Sequence, residues 1–153
     1  MNLVEHIYKG IRDRLREKNS KVNIVSRMPE EKNLPAEPFI VIQYIDSEPE
    51  MRPDGNIDLE MLWVLRYIRK IDDKEDTRFI VADAAWRIGA ILNDYFLKNP
   101  FSEDEEEGEE GGIQITFSRT NDDDFDIEAQ TFESWGVDLV VNVTVPGAEA
   151  LNF

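Results

Sequence analysis

Residues 57–70 read Ile-Asp-Leu-Glu-Met-Leu-Trp-Val-Leu-Arg-Tyr-Ile-Arg-Lys. The odd positions up to 67 are all apolar, and Asp, Glu, Arg or Lys recurs at several of the even positions. A repeat of two is the period of a β-strand that buries one face. Leu62, Val64 and Ile68 interrupt the polar face, so part of that face is expected to be covered too. The segment therefore predicts a strand longer than most.

A second apolar run precedes this strand. Residues 39–45 are compact, apolar and rich in β-branched side chains, which is typical of a buried strand. Between the two runs, residues 46–56 contain two prolines and an Asp-Gly pair. This composition predicts a hairpin connection rather than a tight turn. The two strands are therefore expected to pair antiparallel.

Two segments have helical periodicity. Residues 3–18 place an apolar residue at every fourth position, with Asn2 as N-cap and bases dominating the other face. A second helix is predicted from residue 72 to about residue 98, because acids favour its first turn and Asn99-Pro100 stops it. Its predicted buried stripe consists of Ile80, Ala84, Ile88, Ile91 and Tyr95.

The remaining strands are predicted from shorter signals. Residues 22–25 indicate a first edge strand, and residues 113–118 alternate. After a turn at 121–124, the last strands fall between 125 and 145. One face there is formed by Trp135, Val137, Leu139, Val141, Val143 and Val145. Trp63 and Trp135 are therefore expected in the core, and Trp86 at the edge of the helical stripe.

These elements predict an α+β fold, an antiparallel four- to five-stranded sheet with two helices packed on one face. Residues 1–147 are expected to form a single domain, which is large enough to bury a real core. Within it, residues 101–112 predict a flexible acidic loop, and residues 148–153 a short C-terminal tail.

The bulk composition excludes several classes of protein. The 153 residues include no cysteine, which excludes disulfides, thiol catalysis and cysteine-ligated metals and suits a reducing compartment. The first residues lack the pattern of a signal peptide, and no apolar run approaches the ~18 residues of a membrane span. A soluble protein made in the cytoplasm, without a membrane partner, is expected.

Negative charge is concentrated in one part of the chain. Residues 103–133 carry 13 acidic residues and one base, a net charge of −12 out of −16. This charge disfavours sequence-independent binding of DNA, itself a polyanion. It suits a basic partner, a path that DNA passes without adhering, or simply a solvated loop. The candidate interaction patch consists of Glu103, Asp104, Glu105, Glu106, Glu107, Glu109, Glu110, Asp122, Asp123, Asp124 and Asp126.

Part of this patch imitates a calcium-binding loop. Asp122, Asp124 and Asp126 stand at positions that supply oxygen ligands in such loops, and Glu133 follows at the last one. The sixth position, where the sharp turn needs Gly, is Ile127. The segment is therefore interpreted as an acidic hairpin tip, with a loosely bound cation as the alternative. No cofactor is expected.

Two further patterns bear on catalysis. Asp54 and Asp72-Asp73-Lys74 have the composition of a metal-dependent nuclease, whose carboxylates must converge on Mg²⁺ beside a phosphate. In a chain this acidic, such a match arises easily. His6 is the single histidine and has no triad partners in sequence. Phosphate-binding and nucleophile motifs are also missing from the sequence, so it favours a protein that is not an enzyme.

Element order and aromatic placement together suggest a family. The relevant segments are the N-terminal helix, the run 39–45, Leu62-Trp63-Val64-Leu65, Ala84-Ala85-Trp86, Ile91-Leu92 and Trp135-Gly136-Val137-Asp138-Leu139-Val140-Val141. Over residues 3–146 the chain resembles the small tail-terminator and tail-completion proteins of tailed bacteriophages.

This resemblance implies a virion structural protein without catalytic residues. It implies a cyclic homo-oligomer, usually a hexameric ring, that is assembled in the host cytoplasm and ends growth of the tail tube. Its partners would be the tube protein and a neck or head-completion protein. DNA would pass the lumen without specific binding, because carboxylates repel phosphates. The acidic run 103–110 departs from the family pattern, and the side that it faces stays open.

An acidic DNA mimic is the alternative from another class. Such a protein occupies the basic groove of a nucleic-acid enzyme, and its acids are spaced along an exposed face of a monomer or dimer. Acids clustered in loops, as predicted for residues 103–133, disfavour it. A nuclease, the third hypothesis, requires Asp54 and Asp72 to converge in space.

Overall fold

The structure, a computed structural model, describes residues 2–30, 33–35, 37–101, 112–122 and 132–152. These ranges contain three helices and six strands. In chain order the elements are α1 (Leu3–Lys18), β1 (Asn23–Val25), β2 (Phe39–Met51), β3 (Ile57–Lys70), α2 (Thr77–Leu92), β4 (Tyr95–Leu97), β5 (Ile113–Asp122), β6 (Phe132–Val145) and α3 (Gly147–Ala150).

All six strands form one sheet in the order β1-β2-β3-β6-β5-β4. β3 lies inside it, with β2 and β6 antiparallel on its two sides. β1 pairs parallel with β2, whereas the other neighbours are antiparallel. The expected antiparallel sheet of four to five strands with two helices is therefore wrong. The sheet is mixed, has six strands and curls into a half-barrel, and the described chain has three helices.

Two three-residue strands account for much of this difference. β1 and β4 each cover only one end of a longer neighbour, β2 at 39–41 and β5 at 113–115. β1 can run parallel because residues 26–38 supply the dozen or so residues that a parallel connection needs. β4 lies inside the stretch that helical periodicity assigned to the second helix.

The second helix is shorter than predicted. α2 begins after Asp76, whose side chain caps it, and ends at Leu92. Asp94 then adopts a φ of 55°, a left-handed conformation that turns the chain into β4. Of the predicted stripe, Ile88 is buried and Tyr95 belongs to a strand. At Ile80, Ala84 and Ile91 the next residue is buried instead. The buried residues on α2 are Thr77, Val81, Ala85, Ile88, Gly89 and Leu92.

The first helix is confirmed with its predicted bounds. The Asn2 side chain accepts a hydrogen bond from the backbone N–H of Glu5 (3.0 Å), as an N-cap does. Ile7, Ile11 and Leu15 are buried, so the fourfold repeat in the sequence is the core-facing stripe. In the part of the chain that the structure covers, neither this helix nor another is long and apolar enough to cross a membrane.

The main core lies between the two long helices and one face of the sheet. Trp63 is its largest side chain and is 1% exposed. The odd-numbered residues of β3 and β6 meet α1 and α2 there, as the alternation predicted. Trp135, at the start of the β6 stripe, is only partly buried. The helices thus cover one face of the sheet, and the other face lies outside this core.

A second, smaller cluster lies on that other face. Phe39, Val41 and Ile68 are buried there. Side chains from three other segments cover them: Val25, Met28, Leu34 and Phe132. The expected cover over the polar face of β3 is therefore found at Ile68. This cluster fixes the first third of β2, and the remainder of that strand lies beyond it.

Candidate interaction surface

The outer half of β2 is mostly exposed. Residues 44–60, which comprise that half, the turn and the start of β3, are termed the arm. β1 covers β2 only at 39–41, and no described strand pairs with the outer edge of 43–51. A bulge between Tyr44 and Asp46 shifts the register at the point where this exposure begins. Tyr44, Ile45 and Met51 are 37%, 46% and 69% exposed.

The predicted hairpin connection over 46–56 is thus mostly strand. Pro49, predicted in the connection, lies on an edge strand whose outer side needs no hydrogen bond. Only residues 52–56 form the turn, closed by the N–H of Arg52 donating to the carbonyl of Asn56 (2.9 Å). The chain therefore presents a long, open strand edge to its surroundings.

The arm is strongly acidic, a feature that sequence analysis missed. It contains six acidic residues and one base, a net charge of −5. The register sets Glu48 opposite Glu60 and Glu50 opposite Asp58. Like charges directly opposite on a sheet destabilise it, by roughly 0.2–1 kcal/mol a pair. The alternation of Asp46, Glu48 and Glu50 was the signal that could have revealed this surface.

These carboxylates line a groove on the face of the sheet opposite the helices. A row of side chains crosses five strands there: Glu48, Glu60, Asn142, Gln114 and Phe96. The groove encloses about 550 Å³. At its end the Thr144 hydroxyl donates to Asp58 (2.7 Å). Glu48 and Glu60 offer acceptors that suit cationic groups, whereas Asn142 and Gln114 can donate as well as accept.

The tip of the arm, the turn at 52–56, packs against the start of α3. Gly55 has a φ of 87°, which glycine adopts without strain. Its carbonyl lies so close to Gly147 that a Cβ at that position would overlap it. Arg52 contacts Asp54 (3.0 Å) and Asp58 (3.7 Å) across the turn. The contact with Gly147 and the ion pairs of Arg52 therefore restrict the position of the tip of the arm.

Gly147→Ala tests this anchor. The added methyl group meets a backbone carbonyl rather than a flexible side chain, so the turn or α3 must move. We expect hydrogen exchange at 52–56 to accelerate about tenfold while the global unfolding midpoint changes little. Ala148→Ser, at the exposed neighbouring residue, is the control. Unchanged exchange in the turn would show that the contact does not hold the arm.

A second exposed surface lies on α2. Phe79 and Trp86 are seven positions apart on its outer side and are 71% and 46% exposed. Asp83 accepts from Trp86 Nε1 (2.9 Å) and from Arg87 (2.8 Å). The bond from Arg87, and then that from Trp86, lowers the pKa of Asp83. The exposed indole is thus held in a fixed orientation.

The open edge of β5 lies beside this helix. β4 covers β5 only at 113–115, and no described strand pairs with the outer side of 117–122. Asn93, just beyond α2, accepts from the N–H of Phe117 (3.0 Å), and Arg78 contacts Asp122 at the other end. The sheet is therefore open in part along both of its sides.

Only one residue of the predicted acidic patch lies among the described residues. Asp122 ends β5, and its carboxylate contacts Arg78 (2.9 Å), whose guanidinium also lies over the Trp135 ring. The other members lie outside the described ranges: Glu103, Asp104, Glu105, Glu106, Glu107, Glu109, Glu110, Asp123, Asp124 and Asp126. The same is true of most of the calcium-like loop.

The nuclease arrangement is contradicted by the geometry. Asp54 precedes β3 and Asp72 follows it, so the whole strand separates them. At about 3.3 Å per residue this distance exceeds 40 Å, and the two carboxylates cannot share a metal ion. His6 donates from Nε2 to the carbonyl of Lys98 (2.8 Å), which joins α1 to the end of β4. Within the described ranges, acidic residues and His6 form no cluster able to hold a metal.

The described surfaces are therefore suited to binding. An open strand edge can pair with another backbone, the carboxylate row can accept from basic groups, and the aromatic side chains on α2 can pack against apolar ones. No protein-family model matches the sequence, and no curated protein does so either.

Proposed function

We propose that this protein is a virion assembly protein, a bacteriophage tail terminator that caps the tail tube as a homo-oligomeric ring. A hexamer is the ring that the family resemblance implies. Its other partners are the tube protein and a neck or head-completion protein. The observation that carries the proposal is the arm. Its β2 part is exposed on both faces and along its outer edge.

Such an arm is costly in a solitary protein. An unpaired strand edge is a template for another chain, and Ile45 and Met51 expose apolar surface on it. The acids and Pro49 protect the edge against indiscriminate pairing. This combination suits a contact that forms with one partner in one register, which is the requirement for a symmetric assembly.

A terminator also needs surfaces for unlike neighbours. The exposed Phe79 and Trp86 on α2 fit this role, because large aromatic residues dominate the energetics of protein interfaces. The arm lies toward one side of the sheet, and β5, beside α2, lies toward the other. Contacts between subunits through the arm and contacts with other partners through α2 can therefore form together. The net charge of −16 is compatible with a lumen that DNA traverses without adhering.

Tail length is the decisive measurement. Negative-stain images of tails assembled without this protein are expected to show overlong tubes, and supplying the protein should restore one length. Ala148→Ser supplied in the same way is the matched control and should restore it equally. Tubes of normal length in its absence would overturn the proposal, as would a protein that never joins a tube.

One observation favours the DNA mimic as a second candidate. Asp46, Glu48 and Glu50 alternate along an exposed strand, so successive carboxylates are about 7 Å apart on one face. Asp58 and Glu60 add a second row on β3. Regular spacing along a face, rather than clustering in loops, is the feature expected of a mimic. A stable monomer that displaces DNA from a basic enzyme would support this function instead.

A further inference from the structure

A basic segment in the same chain balances the arm. Residues 9–27, from α1 through β1, contain seven bases and two acidic residues, a net charge of +5 against −5 for the arm. Several of these charges form no ion pair within the described part of the chain. They are Arg16, Lys18, Lys21 and Arg27 in the basic segment, and Asp46, Glu48, Glu50 and Glu60 in the arm.

Lys21 and Glu48 illustrate charges that are too far apart to pair within one molecule. Asn23 pairs with Phe39, and Lys21 precedes Asn23 by two residues. Because β1 and β2 are parallel, Lys21 lies near the start of β2, on the side away from the arm. Glu48 lies nine residues beyond that start. At about 3.3 Å per residue, roughly 30 Å of strand separates the two charges. Direct contact between them requires a second molecule.

We propose that the arm of one copy docks on the basic segment of another copy of this chain. The proposal rests on the proposed function, since it identifies the contact between subunits of the ring. Charge complementarity favours a second copy as the occupant, because every subunit carries both a segment of +5 and an arm of −5. One surface meeting a different one is a heterologous contact, which closes a ring when the rotation permits.

The energetics of the arm favour this occupant. A basic side chain between Glu48 and Glu60 adds two attractions that offset the one repulsion between these carboxylates. Tyr44, Ile45 and Met51 supply apolar area beside the charges, so the contact is not purely electrostatic. Charge pairs at the rim of an interface mainly steer association and select the partner. Assembly should therefore weaken with rising salt.

Charge exchange tests the contact. The arm variant is Glu48→Lys/Glu50→Lys, and the segment variant is Lys18→Glu/Lys21→Glu. Each alone sets like charges against each other, and we expect sedimentation velocity to show an assembly midpoint raised about tenfold in protein concentration. A mixture of the two variants, and the fourfold variant in one chain, should return close to wild type. Asp73→Lys, an exposed site outside both surfaces, is the control.

The outcomes separate this proposal from the proposed function. If the wild type assembles and both reversed variants do so equally well, or the mixture is no better than either, the docking is wrong and the ring stands. If charge exchange behaves as expected but the species is a dimer, the contact stands and the ring is wrong. If the wild type is monomeric in solution, capping of purified tail tubes is measured with the same variants. A wild type that does not cap the tubes overturns both the docking and the proposed function.

Discussion

Trp63→Ala is expected to lower the free energy of unfolding by about 3–5 kcal/mol. Trp63 is 1% exposed, pairs with Tyr44 on one side and Leu139 on the other, and lies midway along β3. Its ring centroid is 5.4 Å from that of Tyr44, where the arm begins. Removing the indole leaves a cavity under both helices, which the surrounding side chains cannot refill by small shifts.

Denaturant and thermal unfolding measure this loss. For a chain of this size, 3–5 kcal/mol corresponds to a fall of roughly 6–20 °C in Tm. Trp86→Ala removes the same atoms from a half-exposed site and should cost less than about 1 kcal/mol. Trp63→Phe should cost less than the alanine variant, because its ring fills most of the space that alanine leaves empty. Both variants remove the buried Nε1–H, which has no partner among the described residues. Equal losses at Trp63 and Trp86 would contradict the assignment of the core.

The elements whose bounds were predicted correctly from the sequence have a long and regular hydrophobic repeat. β3 was predicted with its bounds because its odd positions up to 67 are apolar without exception. α1 was predicted with its bounds because Ile7, Ile11 and Leu15 repeat while bases fill the other face. In both cases one face meets the core and the other meets water, so the pattern records burial directly.

The elements that were missed or only partly predicted lack that asymmetry. β4 was missed, and β1 was predicted as an edge strand but without its parallel pairing; both are three residues long, too short for a period, and each pairs with one end of a longer neighbour. α2 is apolar on most sides, Phe79 and Trp86 included, so several stripes fitted it about equally well. Pro49 concealed the outer half of β2, since an edge strand tolerates proline where a central strand does not.

The interaction surface was missed for a different reason, which is cancellation. Outside residues 103–133 the chain sums to −4, which suggested a nearly neutral body. That sum conceals a segment of +5 and an arm of −5 that the fold sets at different places. Net charge adds along the chain, whereas electrostatic recognition depends on which charges share a surface.

Phe39→Ala is expected to cost about 3 kcal/mol or more. Phe39 is fully buried with Val41 and Ile68 on the face of the sheet away from the helices. Part of the cover, Met28 and Leu34, comes from the connection between β1 and β2. The loss should therefore be accompanied by exposure of the connection, which a mutation in the main core would not cause selectively.

Limited proteolysis and hydrogen exchange at residues 26–30 distinguish these effects. Both should rise in Phe39→Ala at temperatures where α1 and α2 stay protected, because the cluster lies on the other face. Met51→Ala is the matched control: it lies on the same strand, is 69% exposed and should leave stability within about 0.5 kcal/mol of wild type. Since β2 is fixed at 39–42 and open beyond 43, loosening its fixed end should also weaken docking of the arm. A variant that opens the connection yet assembles normally would show that the arm is positioned from its tip, by Gly147, instead.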